Sequence, residues 1–294
     1  MTAPSTFVVG AGPVATALAG ALRLGGVSVL GLWARRAEPA RAAAAVAGVA
    51  AFSDGTPEPM LESDAVVLAV RDDALAEVAR TIVESGWVTA SQVLVHCSGS
   101  VAAELAFAAV RDRVGGVATM HPLRSIPDGS TAMHDMRGTV FGIQGDDPGR
   151  EAVRALVAAM DGRPLELTGD QMSAYHGAAA MASNYFVTLM EAAAAMLQSV
   201  GLDRADALAA LVPLVEGTLA NLRTSGLPAA LTGPIRRGDR ETVVRHLAAL
   251  GQLPEGLEAL YRSLGLHTVT LARECGDAEP AALDAIADLL ADGR

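Results

Sequence analysis

Apolar and polar positions follow two alternating spacings along the first half of the chain. TFVVG (6–10) is a short apolar run ending in a turn residue, and PVATALAGALRLG (13–25) carries its apolar positions at helical spacing up to a glycine stop. VSVLGLW (27–33) returns to strand character. DAVVLAV (64–70) and QVLVHC (92–97) are continuous apolar runs, the pattern of strands covered on both faces. Between them, DDALAEVARTIVESG (72–86) opens on two carboxylates and closes on glycine, which predicts a helix. GVATMH (116–121) and TVFGIQG (139–145) predict two further strands. Strand, helix and strand repeated in this way predict an α/β fold: a Rossmann-type doubly wound parallel sheet with helices on both faces.

The pattern changes near residue 165. From Gly169 onward the spacing is helical, with breaks at Gly201, Gly226 to Pro228, Thr232 to Pro234, Gly251 to Pro254 and Gly276. The division predicts a dinucleotide-binding domain over 1–167 and an all-helical substrate and dimerisation domain over 168–294. The run 170–200 is apolar nearly all round, unlike a surface helix. It is expected to be buried, most simply against a second copy of the chain, which makes a homodimer the expected assembly.

Composition narrows the classes. With 51% hydrophobic and 19% charged residues the chain has enough apolar matter for a large core, which excludes disorder. Aromatics are only 3%, so that core is built from Ala, Val and Leu. The net charge of −11 comes with no basic patch and argues against nucleic acid as a partner. Two cysteines without CxxC spacing point to a reducing compartment and to no structural metal. All 22 basic residues are arginine, which excludes Schiff-base and lysine-acid chemistry. Residues 7–34 hold one charge, Arg23, but glycines divide them and no positively charged leader precedes them. The expectation is a cytoplasmic chain with no membrane span.

Candidate chemistry falls at the ends of the predicted strands. GAGPVA (10–15) has the form GxGxxA between a strand and a helix, which lets a pyrophosphate approach backbone N–H groups at a helix N-terminus. Gly10, Gly12, Pro13 and Val14 are the binding candidates there, with the small Ala15 allowing close helix packing; an ordinary glycine-rich turn is the bland alternative. The second strand ends in WARR, placing Arg35 and Arg36 where an NAD site would carry an acid. Guanidinium groups suit a 2′-phosphate, so NADP(H) is the expected cofactor unless the two are simply solvated. Val70 ends the DAVVLAV strand; Asp72 and Asp73 after it are helix-capping candidates. Ser98 and Gly99 in HCSGS (96–100) fall on the edge that faces the ligand crevice, where Cys97 as a nucleophile is a remote alternative.

MHPLRS (120–125) puts His121 and Arg124 on the same edge, as a proton or hydrogen-bond donor and a carboxylate clamp, or as an ordinary strand end before Pro122. In YHGAAAMASNYF (175–186), one helix would place His176 and Ser183 on one face, with Asn184 roughly 80° round. These three are either satisfied core groups or the working face of a site. LTGPIRRGD (231–239) adds Arg236 and Arg237, in the cleft or in water, and Asp239 as a cap for the following helix. His134, His246 and His267 read as surface groups.

GAGPVATAL, HCSGS, HPLRS, YHGAAAMASNY and ALTGPIRRGD together resemble a bacterial family that pairs a Rossmann-like domain with a helical C-terminal domain of unknown function. That family is similar in architecture to pyrroline-5-carboxylate reductases, 6-phosphogluconate and 3-hydroxyacid dehydrogenases, ketopantoate reductases and prephenate dehydrogenases. The resemblance implies NADP-dependent reduction, dimerisation through the helical domain and a site in the cleft between domains. Hydroxyacid dehydrogenases carry a catalytic lysine four residues before an asparagine on the corresponding helix. Here that position is Ala180, so histidine is the available acid.

The expected function is NADP(H)-dependent reduction of a C=O or C=N bond in a small anionic metabolite, a 2-oxo acid or a cyclic imine. His176 or His121 would give the proton, Ser183 and Asn184 would orient the substrate, and Arg124 and Arg237 would bind it. The alternatives are a cofactor-binding regulatory protein without turnover and a deazaflavin-dependent oxidoreductase.

Overall fold

The computed structural model describes residues 2–292 except 252, 254 and 255. The chain forms two compact units, residues 1–183 and 184–294. The first unit holds strands β1 (Thr6–Val9), β2 (Val29–Trp33), β3 (Ala51–Phe52), β4 (Ala65–Leu68), β5 (Val93–His96), β6 (Gly116–Pro122), β7 (Val140–Gly145) and β8 (Arg163–Glu166). Its helices are α1 (Pro13–Leu24), α2 (Ala37–Ala47), α3 (Glu58–Leu61), α4 (Asp72–Glu84), α5 (Ala103–Ala106), α6 (Gly129–Ala132), α7 (Asp147–Ala159) and α8 (Met172–Ala182). The second unit holds α9 (Asn184–Gln198), α10 (Arg204–Ser225), α11 (Arg240–Leu250), α12 (Leu257–Cys275) and α13 (Pro280–Ala291).

The fold is α/β, as the periodicity predicts. The eight strands form one sheet in the order β3-β2-β1-β4-β5-β6-β7-β8. The order reverses between β1 and β4, which is where the carboxyl ends of neighbouring strands part and open a crevice. Because each strand of the parallel part is covered on both faces, its side chains divide between two cores. Val8, Leu32, Val67 and Val95 enter one with α1, α2 and α7. Phe7, Val9, Leu68 and Leu94 enter the other with α4 and α5. Burial of each such side chain contributes about 1.5–3 kcal/mol. The lone charge of the early apolar segment also has a use: Arg23 Nε donates to the Ala47 carbonyl at the end of α2 (2.8 Å).

The sheet differs from a purely parallel one. β7 runs antiparallel to β6 and β8 runs parallel to β7, so the sheet is mixed. A parallel return needs a long crossover, usually a helix, and the segment between β6 and β7 contains only the four-residue α6. β8 has no counterpart among the predicted strands, because RPLE is exposed along its length and carries no apolar run. Such polarity suits an edge strand, whose open side faces solvent.

The change from sheet to helices falls after Glu166, close to the predicted position. The compact units nevertheless divide at Ser183/Asn184, not at 167/168, so α8 goes with the sheet. The run 170–200 is two helices rather than one. Ser183, with φ −123° and ψ −70°, takes the chain out of helical geometry between α8 and α9.

In the second unit, Ile235, Val243, Leu247, Val269, Leu283 and Ile286 form a core between α11, α12 and α13. Asp239 caps α11 as predicted, accepting from the Thr242 N–H at 3.0 Å. The expected burial of 170–200 is not met within the chain: only Met172 in α8 and Ala194 in α9 are buried. On α10, Val212, Leu214 and Leu219 are exposed. Among the described residues, α10 is long and apolar enough to cross a membrane by length and composition alone.

Candidate active site at the carboxyl edge of the sheet

The β1–α1 turn needs its first two glycines for different reasons. Gly10 has φ +130°, and a Cβ there would collide with the Ala69 carbonyl of the neighbouring strand end. The strand end is therefore locked by fold geometry, with the Gly10 N–H donating to the Trp33 carbonyl (2.8 Å). Gly12 has ordinary extended angles, φ −80° and ψ 176°, and is the N-cap of α1. Nothing lies within 4 Å of the position its Cβ would take. The open space is above a helix N-terminus with no side-chain cap and no acid in its first turn. Uncapped N–H groups and the positive end of the helix dipole favour an anion there. Pro13 is exposed and Val14 half-buried at the start of α1, and Ala15 is fully buried under it. A cavity of about 370 Å³ adjoins this turn, lined by Gly12, Pro13, Thr16, Val46, Asp128 and Ser130.

Arg35 and Arg36 are exposed where β2 runs into α2. Neither makes an ion pair or side-chain hydrogen bond among the described residues. Val70 is half-buried beside the core under β4. Arg71 and Asp73 bind each other, with Nε and Nη2 of Arg71 donating at 3.0 and 2.7 Å.

Asp72 does not cap its helix. Its Oδ2 accepts from the hydroxyls of Ser98 (2.8 Å) and Ser100 (3.1 Å), and so fixes the loop after β5. Ser98 and Gly99 are both buried in that loop. The Ser98 N–H donates to Nδ1 of His96 (3.1 Å), which leaves the His96 proton on Nε2, donating to Thr119 Oγ1 (2.9 Å). His96 is thus a neutral core histidine, and burial pushes its pKa down to about 4. Burial likewise pushes the Cys97 thiol up to about 12, which removes it as a nucleophile at neutral pH.

His121, at the end of β6, and His176, on α8, come together. Their ring centroids are 5.7 Å apart, at an interplanar angle of 77°. Both press on Gly99, where a Cβ would fall 2.6 Å from His176 Cδ2 and 2.8 Å from His121 Nε2. Only glycine lets the β5 loop pass beneath the two rings. Burial is the main cause that pushes His121 down to about 4; His176 adds to it and Asp72 opposes it. Tyr175 joins the pair: its hydroxyl is 3.0 Å from His121 Nδ1, and the Gly142 N–H donates to it at 3.2 Å.

The other candidates have local settings of their own. The break at Ser183 removes the single helical face that Ser183 was expected to share with His176, and Asn184 opens α9 in the second unit. Arg124 is ion-paired with Asp135 (3.1 Å), so a substrate carboxylate would have to displace that partner. Arg236 is structural, donating to the carbonyls of Ala229 (2.9 Å) and Leu231 and to Asp277. Arg237 is exposed in the second unit and makes no ion pair among the described residues. His246 is half-buried rather than a surface group, with Nδ1 2.8 Å from the Tyr261 hydroxyl. No group of three His, Cys, Asp or Glu side chains able to hold a metal occurs among the described residues.

Tyr175 and Asp72 carry roles that sequence reasoning missed. One signal for Tyr175 was present: Gly142 interrupts strand β7, and a Cβ there would fall 2.7 Å from the Tyr175 ring. A glycine inside a strand often marks such a close approach.

The fold and its edge geometry define a class, a Rossmann-like unit followed by a helical unit. Residues 139–268 match the family described as Domain of unknown function (DUF2520). No curated protein matches the chain. Among solved structures it is similar to protein TM1727 from Thermotoga maritima, at 25% identity and a TM-score of 0.72, over 92% of this chain and 99% of that one. It is also similar to the candidate NADP oxidoreductase BF3122 from Bacteroides fragilis, at 22% identity and a TM-score of 0.69, over 92% and 98% of the two chains. A pyrroline carboxylate reductase from Plasmodium falciparum, solved with NADP bound, shares the fold at 13% identity and a TM-score of 0.58, over 99% and 100%.

Proposed function

We propose that the protein is an NADP(H)-dependent oxidoreductase that reduces a C=O or C=N bond in a small anionic metabolite. The observation that carries this reading is the uncapped N-terminus of α1 beneath open space at Gly12, at the point where strand order reverses. A pyrophosphate fits there, and the unpaired Arg35 and Arg36 suit a 2′-phosphate. The likeness to a candidate NADP oxidoreductase and to a reductase with NADP bound supports it. When bound, the nicotinamide supplies the hydride. The chain's own part is to hold the dinucleotide on Gly12, Pro13 and Val14, and to deliver a proton from His176. Gly99 forms the floor beneath the imidazoles, in a loop that Asp72 holds through Ser98 and Ser100. Ser183, Asn184 and Arg237 remain proposed substrate contacts, and Arg124 becomes one on release from Asp135.

The test is cofactor preference by fluorescence titration. NADPH is expected to bind more tightly than NADH by roughly 10–100-fold, since charge-assisted hydrogen bonds contribute about 1.5–3 kcal/mol each. The double variant Arg35→Ala, Arg36→Ala should abolish most of that difference. Equal affinities in the parent protein would remove the basis for assigning NADP(H).

The working form is proposed to be a homodimer joined through the helical unit. Tyr185 and Val187 of α9 are 65% and 68% exposed and Leu214 of α10 is 68% exposed, an apolar surface of the kind that marks an interaction site. Light scattering at micromolar concentration should give twice the mass of the chain. A monodisperse monomer would defeat the proposal. The two cysteines are free thiols, which suits a reducing, cytoplasmic setting.

A further inference from the structure

The Tyr175 hydroxyl has one proton and room to accept two hydrogen bonds. Three groups surround it: the Gly142 N–H at 3.2 Å, the His121 carbonyl at 3.2 Å and His121 Nδ1 at 3.0 Å. The carbonyl can only accept, so the phenol proton goes to it. The Gly142 N–H can only donate. The remaining contact is satisfied only if Nδ1 carries a proton and donates to the phenol. The opposite assignment, phenol to Nδ1, would leave the carbonyl and phenol oxygens 3.2 Å apart with no proton between them. In a neutral imidazole with the proton on Nδ1, Nε2 is a bare acceptor. That atom faces Gly99 beside the His176 ring, and no protein donor among the described residues bonds it.

We propose that Tyr175 is a positioning residue that fixes His121 in the Nδ1–H form. His121 Nε2 is thereby the hydrogen-bond acceptor of the active site, leaving His176 as its acid. The inference rests on the oxidoreductase reading for its catalytic meaning, though the tautomer itself does not depend on it. A lone pair aimed into the site suits a substrate whose reduced form carries an O–H or N–H hydrogen, such as a secondary alcohol or amine.

The charged surroundings agree with a neutral His121. Burial and the neighbouring His176 disfavour a positive charge on the ring, with Asp72 as the opposing influence, and His96 is a further titratable neighbour. Burial also raises the Tyr175 phenol, which keeps its proton available for the carbonyl.

The tautomer can be read directly by long-range proton–nitrogen correlation spectra of the full-length, nitrogen-15-labelled protein, without cofactor or substrate. The six histidines are separated by the loss of one set of signals in His121→Gln. His121 should show a protonated Nδ1 and a bare Nε2 that persist as pH falls from 8 to about 5. In Tyr175→Phe the Nδ1–H form should lose its dominance, with the Nε2–H form appearing beside it. With a substrate in hand, Tyr175→Phe should lower kcat about tenfold with NADPH affinity unchanged, the effect of one lost hydrogen bond of about 1.4 kcal/mol.

A protonated Nε2 in the parent protein would overturn the proposal, and that spectrum decides the matter even if Tyr175→Phe fails to fold. A Tyr175→Phe ring indistinguishable from the parent's would overturn it as well. Failure of the oxidoreductase reading is separable: NADPH would then not bind, while the His121 spectrum would stand or fall on its own.

Discussion

His176→Ala should lower kcat by roughly 10²–10⁴-fold, the usual contribution of general acid catalysis, with NADPH affinity unchanged. The prediction follows from a division of labour between two imidazoles that meet over Gly99. His121 is tied to Tyr175 through Nδ1 and kept neutral by burial, so it is poorly suited to give a proton at neutral pH. Among the described residues His176 makes no side-chain hydrogen bond that would commit either ring nitrogen, and Ala180 excludes a lysine at that position of the same helix. His121→Ala, measured under identical conditions, should behave differently. It takes from the Tyr175 phenol its Nδ1 partner, and should cost about 1–3 kcal/mol of stability, visible in a urea midpoint. Loss of turnover in His121→Ala alone would reverse the assignment. Full turnover in both variants would mean that the proton comes from water or substrate, and the pair would then be a packing and binding surface.

The second large effect separates the two glycines of the β1–α1 turn. Gly12→Asp should weaken NADPH binding by roughly 100-fold or more, because a carboxylate then occupies the helix N-terminus and repels the pyrophosphate. The fold should not suffer. The backbone angles at Gly12 suit any residue, its Cβ position is open, and Asp is a better N-cap than Gly, so stability should be equal or raised by about 0.5 kcal/mol. Gly10→Ala should show the converse. With φ +130° and the Ala69 carbonyl in the way, it should lose about 1–3 kcal/mol or more of stability. Calorimetry and dinucleotide titration on both variants resolve the contrast. A Gly12→Asp protein that binds NADPH as tightly as the parent would place the pyrophosphate elsewhere.

Local order was legible wherever the chain carries its own signal. β1 and α1, the WARR strand end and the HCSGS and MHPLRS edges were all readable, because apolar spacing and glycine positions are properties of a few consecutive residues. Asp239 at its N-cap is of the same kind, since the bond it makes spans three residues. β8 escaped because an exposed edge strand has no apolar run, and β3 because two residues make no pattern.

What the sequence by itself determined is the class of the first unit, the glycines of the β1–α1 turn and the residue types available for chemistry. The tertiary structure alone decided which of those residues meet. Asp72 finds Ser98 across 26 residues and His121 finds Tyr175 across 54, through strand order and the return of α8 to the sheet. It also turned β7 antiparallel and ended α8 at Ala182, so that Ser183 no longer continues the face of His176. The physical reason is range: helical spacing and turn chemistry act over a few residues, whereas a site is assembled by packing between segments that the chain separates.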